Sequence, residues 1–188
     1  MTKVVREPYA ALYPTPGVLV SCGTGAHANV ITLAWAGTLC SVPPMVGIGV
    51  RPSRHSHSLI KELGEFVINL PTAAQARYVD FCGHVSGRDQ NKWTCCGFTP
   101  EPATRVKVPL LHECPVNLEC VVRSIHSLGT HDLFIGEIVA VHVDESVADE
   151  HGRFVPELAH PLVCIEGHYY RIGELIGSYG FSQRDSTP

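Results

Sequence analysis

The sequence predicts a mainly β fold, a closed or partly split barrel with short helices inserted between its strands. The main observation is a series of short runs of apolar and β-branched residues, separated by glycines and prolines, which is typical of strands joined by turns. Helical periodicity is confined to a few short segments, and no regular alternation of strands and helices indicates a parallel sheet. A barrel is the natural way for many short strands to hide their edges.

Seven runs are predicted to form strands, namely residues 17–22, 27–36, 45–50, 65–70, 116–125, 133–143 and 161–165. The sequence Gly23-Thr24-Gly25 separates the first two runs, and a glycine-rich connection between apolar segments indicates a hairpin. The third run follows Pro43-Pro44, which is consistent with a strand because proline is tolerated before a strand but not within it.

Helices are predicted over residues 56–63, 72–82 and 172–176. Gly64 directly follows the first segment, and a glycine at this place commonly ends a helix. In the second segment, Thr72 is the expected N-cap and Gly83 the expected C-cap.

The length of 188 residues, with 45% hydrophobic and 17% charged residues, is that of one globular domain, which we expect to span residues 1–188. The sequence contains neither internal repeats nor low-complexity segments. Only the ends, residues 1–7 and 183–188, are expected to be loosely held.

The charge balance bears on the partners of the protein. Lys and Arg number 14 against 18 Asp and Glu, and a net charge of −4 gives no basic footprint for nucleic acid. No apolar run approaches the ~20 residues that a membrane-spanning helix needs. Pro8, Pro14 and Pro16 interrupt the segment in which a secretory signal would lie. We therefore expect a cytoplasmic protein that binds neither nucleic acid nor a membrane.

The eight cysteines are scattered along the chain rather than arranged as a disulfide framework, and we expect them to be reduced and mostly buried. An alternative interpretation uses Cys82, His84, Cys95 and Cys96 as ligands of a zinc- or thiol-based regulatory domain. The usual C-x-x-C pairs are absent, and vicinal cysteines rarely serve one tetrahedral site. The prediction is therefore that there is no metal site.

The segment from Arg51 to Ser58, RPSRHSHS, lies between a predicted strand and a predicted helix. It gathers two guanidinium groups and several hydroxyls where unpaired backbone N–H groups and the positive end of the helix dipole favour an anion. A phosphate suits this pattern. A capped, solvated helix start with incidental charges explains the residues equally well.

Three residues of the second predicted strand are further candidates. Strand alternation places Asn29 and Trp35 on one face and Thr32 on the other. Trp35 is either a core residue or a flat surface offered to a planar ligand.

Two later residues lie in polar surroundings. Lys92 lies beside Trp93 at the end of the polar stretch 86–93. His131 opens a strongly apolar strand, where its imidazole could face a cleft. A surface loop and a structural histidine at a strand edge account for the same patterns.

Taken in order, these segments resemble a known family. The series NVITLAWAGT at 29–38, S-x-PPMV at 41–46, RPSRHS at 51–56 and GEFVIN at 64–69 is similar to that of the flavin-reductase-like FMN-binding split barrels, flavoredoxins among them. Ser86-Gly87, followed by Lys92 and then His131, continues the likeness. The resemblance covers roughly residues 10–143 and extends more faintly to residue 170.

The resemblance implies a six-stranded Greek-key barrel that forms a homodimer, with one FMN per subunit near the dimer interface. It implies that the segment 51–56 holds the phosphate and that other matched positions approach the flavin ring or its side chain. The cofactor-binding positions carried over are Asn29, Thr32, Trp35, Thr38, Arg51, Ser53, Arg54, Ser56, Lys92 and His131.

The resemblance also implies the chemistry. The flavin itself performs the redox reaction, so no residue is assigned as catalytic, and Lys92 and His131 are candidates for tuning its potential. The expected function is an FMN flavoprotein that carries electrons between redox partner proteins. The alternative is an oxidoreductase that takes hydride from NADH or NADPH and reduces flavin or ferric iron.

Overall fold

The computed structural model describes residues 1–184. Its strands are β1 (Thr15–Pro16), β2 (Val18–Cys22), β3 (Asn29–Leu33), β4 (Ala36–Ser41), β5 (Pro44–Val50), β6 (Glu65–Leu70), β7 (Pro100–Glu101), β8 (Leu110–Leu111), β9 (Val116–Ser127), β10 (Asp132–Val143), β11 (Leu162–Ile165) and β12 (His168–Arg171). Its α-helices are α1 (His55–Leu63), α2 (Ala76–His84), α3 (Lys92–Cys96), α4 (Pro156–Ala159) and α5 (Phe181–Arg184), and short 3-10 helices cover Gly25–His27, Ala73–Gln75 and Glu145–Val147.

The main sheet has seven antiparallel strands in the order β3-β2-β6-β9-β10-β5-β4, one strand more than the family resemblance implies. Residues 34 and 35 alone connect β3 to β4, the two outer strands of this order, so the sheet curls into the predicted mainly β split barrel. Two smaller sheets, β1-β11-β12 and β7-β8, complete the strands.

The interior of the barrel is apolar. Phe66, Phe134 and Ile48, from three strands of the main sheet, are fully buried in its largest hydrophobic cluster. A second cluster lies where α2 and α3 pack against the outer side of β2 and β3, and it contains Val79 and Trp93. The two helices are therefore fixed beside β3, which later matters for the site.

The first predicted helix is confirmed as α1, which ends at Leu63. Gly64 follows in the left-handed conformation, with φ 72°, and its N–H donates to the carbonyl of Ile60. A residue with a side chain is strained in this conformation, which explains the glycine.

The second predicted strand is wrong in extent. It divides into β3 and β4, with a bend at Ala34 and Trp35 between them. The return strand β4 lies at the edge of the sheet, and all its residues but the first are exposed, so its sequence lacks the apolar alternation that would have indicated it.

The predicted helix boundaries need two corrections. Thr72 is an N-cap as predicted, but of the 3-10 turn Ala73–Gln75, where its backbone N–H donates to Gln75 Oε1 at 2.8 Å, and α2 begins only at Ala76. Gly83 lies inside α2 rather than at its C-cap, because the helix crosses β3 there and a Cβ at this position would already contact Thr32 at 3.4 Å. Lys92 and Trp93, predicted to lie in a loop, begin the short helix α3.

The predicted helix at 172–176 is also wrong. This segment is exposed and forms neither helix nor strand, because its apolar side chains have no surface of the barrel to pack against. The predicted strand at 161–165 is confirmed as β11, and its hairpin partner β12 was not predicted.

The N-terminal residues 1–14 are exposed and form neither helix nor strand. Most of the other end that was expected to be loosely held, residues 183–188, lies outside the described residues. No helix in the described part of the chain has the length and apolar character to cross a membrane.

Candidate functional site

A groove runs along one side of the barrel and consists of three adjoining cavities. The inner cavity, about 210 Å³, lies between the start of α1 and the segment that joins α2 to α3. It shares Arg54 and Gly83 with a middle cavity of about 190 Å³, which shares Trp35 and His131 with an outer cavity of about 360 Å³. No carboxylate of the described residues lines any of the three.

The inner cavity is built by three chain segments that meet at Asn29, the first residue of β3. Its side-chain amide donates to Ser56 Oγ in the first turn of α1 at 2.9 Å, and both residues are buried. Gly87 passes directly over Asn29, and a Cβ at Gly87 would overlap the amide group. Arg88 extends to the same place and donates to the carbonyl of Ser53 at 3.2 Å.

Lys92 forms the floor of the inner cavity and is only 3% exposed. Its ammonium donates to the carbonyls of Val30 and Cys82, each at 2.7 Å, which uses two of its three N–H donors. No carboxylate of residues 1–184 forms an ion pair with it or with Arg54 or Arg88. Burial lowers the pKa of Lys92, because a charged amine loses its hydration in the interior.

The inner cavity is therefore electropositive. The pKa of His55, at the start of α1, is lowered by burial and then by the nearby charges of Arg88 and Lys92. The N-cap residue of α1, Arg54, makes no side-chain capping hydrogen bond. The first N–H groups of a nine-residue helix thus add their partial positive charge to the two guanidinium groups and the ammonium.

The outer half of the groove is aromatic. The rings of Trp35 and His131 lie 4.3 Å apart between centroids, and Trp35 is 49% exposed. Arg51 Nε donates to His131 Nε2 at 3.3 Å, while Nδ1 lies 2.9 Å from the hydroxyl of Thr130. This pattern fits the neutral imidazole with its proton on Nδ1, and burial followed by the charges of Arg51 and Arg54 lowers the pKa of His131 accordingly.

The structure brings nine of the ten predicted cofactor-binding residues to the groove. The inner cavity takes Asn29, Ser53, Arg54, Ser56 and Lys92, and the middle cavity takes Thr32, Trp35, Arg51, Arg54 and His131. Thr38 lines none of the three cavities. Its neighbours on β4, Gly37 and Leu39, line the outer cavity, and alternation along the strand places Thr38 on the opposite face.

The surroundings of two predicted residues are described in more detail by the structure. Thr32 points away from the face of Asn29, as predicted, and its hydroxyl donates to the carbonyl of Val79 in α2. Lys92 opens onto the inner cavity together with Arg54 and Ser56.

Several groove residues were not predicted as site residues. Arg88 and Gly83 line the inner cavity, while Gly49 and Leu133 line the outer one. Arg88 stands in the same polar stretch as Lys92, which was the available signal. Nothing in the local sequence distinguishes the glycines from ordinary strand and helix glycines.

The four residues of the zinc alternative are not assembled. The thiols of Cys82 and Cys96 are buried 3.8 Å apart, but Cys95 is exposed and contacts Gln90, and His84 turns back to the carbonyl of Asp80. Within residues 1–184, no three His, Cys, Asp or Glu side chains are grouped to hold a metal ion. The eight cysteines are all free thiols, five of them buried.

These observations define the class of protein: a mainly β split barrel with a groove that is electropositive at its inner end and aromatic at its outer end. The flavin reductase like domain model matches residues 10–173, and the chain therefore belongs to the flavin-reductase-like family. An uncharacterized protein of Archaeoglobus fulgidus is 38% identical over 152 residues, which cover 81% of this chain and 83% of the relative.

Two solved structures are similar over nearly the whole chain. Flavoredoxin of Desulfovibrio vulgaris (Miyazaki F) superposes with a TM-score of 0.89 at 30% identity, covering 97% of this chain and 100% of that one. An FMN-binding protein of Thermus thermophilus, solved with bound 1-cyclohex-2-enone, superposes with a TM-score of 0.80 at 27% identity, covering 95% and 99%.

The close approach at Gly87 leads to a prediction. Gly87→Ala should displace the amide of Asn29 from Ser56 and weaken binding of a phosphate-bearing ligand in the inner cavity by about tenfold, the scale of one lost buried hydrogen bond. Isothermal titration measures the affinity. Gly173→Ala is the control, since a Cβ there meets no atom within 4 Å. Unchanged affinity in Gly87→Ala would show that this contact does not shape the cavity.

Proposed function

We propose that the chain binds one FMN in the groove and acts as a flavoprotein that carries electrons. The observation that carries the proposal is the buried ammonium of Lys92, which has no counter-ion among the described residues and opens onto a cavity with two arginines. A buried charge is costly unless it is paired. A ligand that brings negative charge into the inner cavity supplies the missing partner.

A phosphate monoester suits the inner cavity in charge and in hydrogen bonding. It carries between one and two negative charges near neutral pH, and Arg54, Arg88 and Lys92 offset them. The hydroxyl of Ser56 and the uncapped N–H groups of α1 are further donors for its oxygens. Gly87 leaves room for the amide of Asn29, which in turn holds the hydroxyl of Ser56 at the cavity.

The aromatic half of the groove suits the flavin ring. Trp35 offers a flat apolar surface that orients the ring and keeps water from it, and the neutral imidazole of His131 offers a second. Arg51 holds His131 and adds a positive charge that favours a more negatively charged ring. When FMN is bound, it supplies the redox chemistry itself.

The role as an electron carrier is supported by the likeness to flavoredoxin across the whole chain. A second role as an oxidoreductase is supported by the outer cavity, whose lining of Leu39, Leu128 and Leu133 beside Trp35 has room for a small organic donor or acceptor. Anaerobic stopped-flow mixing with NADH or NADPH separates the two. Rapid bleaching of the flavin favours the oxidoreductase, and reduction only by a redox protein favours the carrier.

The proposal is tested by the visible spectrum and by titration. Protein purified with its cofactor is expected to be yellow. Protein stripped of the cofactor should bind FMN in a 1:1 ratio, and it should bind riboflavin, which lacks the phosphate, far more weakly. Protein that stays colourless in excess FMN would refute the assignment of the groove.

We further propose that the protein works as a homodimer in the cytoplasm. Tyr9, Leu12 and Tyr13 are exposed and line a cavity that shares Trp35 with the outer cavity, where Leu39 is also exposed. Such an apolar patch favours burial against a second copy. The free thiols suit a reducing compartment. Light scattering after size-exclusion chromatography measures the mass, and a monomer at micromolar concentration would contradict the dimer.

A further inference from the structure

We infer that Asp132 is a positioning residue that holds the segment 51–56, the loop before α1 and the first two residues of that helix, in its anion-binding shape; this inference rests on the proposed binding of FMN. Neither Asp132 nor its partner His57 lines any of the three cavities of the groove. Both act through neighbours that do, because His57 follows Ser56 and Asp132 follows His131 in the chain.

Asp132 holds the chain on both sides of the loop. Its backbone is in register with Val50, the last residue of β5 and the residue directly before the loop. Its side-chain Oδ2 lies 2.8 Å from Nε2 of His57, the residue directly after the loop. One residue at the start of β10 therefore fixes the entrance and the exit of the six-residue segment that supplies Ser53, Arg54 and Ser56.

The pair is held rigidly. The side chains of His57 and Asp132 are only 9% and 15% exposed, so water competes little for the hydrogen bond. The His57 ring packs edge-on against the fully buried Phe134, with centroids 5.1 Å apart and planes at 77°. The hydrogen bond from His57, followed by one from Ser127, lowers the pKa of Asp132, which keeps it an ionised acceptor.

The hydrogen-bonded pair of Asp132 and His57, here called the clamp, matters because the segment 51–56 brings charges of one sign together. Arg51 and Arg54 repel each other and their neighbour Arg88 when no anion is bound, and the free loop gains entropy by opening. A loop held in its binding shape avoids this ordering cost when the ligand arrives. The position of His131 at the aromatic end depends less on the clamp, because Thr130 and Trp35 also contact His131.

The test compares FMN with riboflavin in Asp132→Ala, His57→Phe, the double variant and Glu137→Ala. Glu137 is the control, since it forms an exposed ion pair with Arg123 farther along the same strand, 2.7 Å between Nε and Oε2. Flavin fluorescence quenching gives the dissociation constants. We expect FMN to bind at least tenfold more weakly in both single variants while riboflavin changes less than about twofold, because the segment 51–56 supplies most of the phosphate donors but only Arg51 to the aromatic end. The double variant should be no worse than either single variant, because one bond is lost in each.

Equal losses for FMN and riboflavin would overturn the inference, since general damage to the fold has that signature. So would additive losses in the double variant, or FMN binding as tight as in the wild type. If one variant is too unstable to titrate, hydrogen exchange in the other one decides. A larger increase over the wild-type exchange rate in residues 51 and 53–57 than in α2 supports the inference, and exchange unchanged from the wild type contradicts it. Wild-type protein that binds no FMN contradicts the proposed function instead, so the two failures are distinguishable.

Discussion

Replacing Lys92 by methionine is expected to weaken FMN binding about 10- to 100-fold, the range of a lost charge-assisted hydrogen bond in a buried site. Methionine fills much of the space of the lysine stem and removes the ammonium that faces the inner cavity. Riboflavin has no phosphate to lose, so its affinity should change little. Fluorescence titration of both ligands measures the difference.

The same substitution should leave the cofactor-free protein nearly as stable as the wild type. The carbonyls of Val30 and Cys82 each lose a donor, but the buried charge without a counter-ion is removed as well, and the two effects oppose each other. Lys61→Met, an exposed cation on α1, is the matched control. If Lys92→Met binds FMN and riboflavin with unchanged affinities, the ammonium does not serve the phosphate.

The pH dependence of binding should have a defined sign. Burial lowers the pKa of Lys92 in the free protein below its ordinary value of 10.5, and a bound phosphate favours the ammonium and raises the pKa again. FMN affinity is therefore expected to fall as the pH rises through the free-protein pKa of Lys92. Lys92→Met should lack this alkaline decline, whereas Lys61→Met should retain it.

The local part of the site could be predicted from the sequence. The segment 51–56 stands between a strand and a helix, and its arginines and serines are an anion-binding pattern that depends only on neighbours in the chain. The hairpin at residues 23–25 and the helix end at Gly64 are predictable for the same reason, because glycine at these places solves a local backbone problem.

The remainder depends on contacts between distant segments. The burial of Lys92 follows from carbonyls 62 and 10 residues away in the chain, and the contact of Asn29 with Ser56 spans 27 residues. No local pattern reports such distances. Thr38 was carried over from the family resemblance, which gives aligned positions but not the direction in which an edge-strand side chain points.

A buried carboxylate far from the groove should control the stability of the fold in acid. Glu119 on β9 is fully buried and accepts the backbone N–H groups of Thr104, Arg105 and Val106 at 2.6–3.0 Å, as well as the hydroxyl of Thr104 and His142 Nε2. Burial alone raises its pKa, but the hydrogen bonds, first that from the Thr104 backbone, outweigh burial and lower the pKa to about 2. The carboxylate fastens residues 104–106 to the barrel.

The stability contributed by Glu119 should therefore be complete above its ordinary pKa of 4.5 and be lost as the pH falls toward about 2. The difference between the two pKa values corresponds to ~3 kcal/mol of the free energy of unfolding. Glu119→Gln should lose a similar amount at pH 7, because its amide NH₂ would face backbone N–H donors, and its unfolding free energy should depend less on pH between 4.5 and 2.

Urea unfolding at several pH values measures both effects, and Glu137→Gln is the control for a carboxylate that is paired at the surface. The Glu137 pair with Arg123 is partly exposed, so its loss should cost less than ~1 kcal/mol. If Glu119→Gln behaved like this control, the five hydrogen bonds would not hold the carboxylate in its ionised form, and acid unfolding would have to arise from other carboxylates. A large loss at pH 7 that disappears near pH 2 identifies Glu119 as the group responsible.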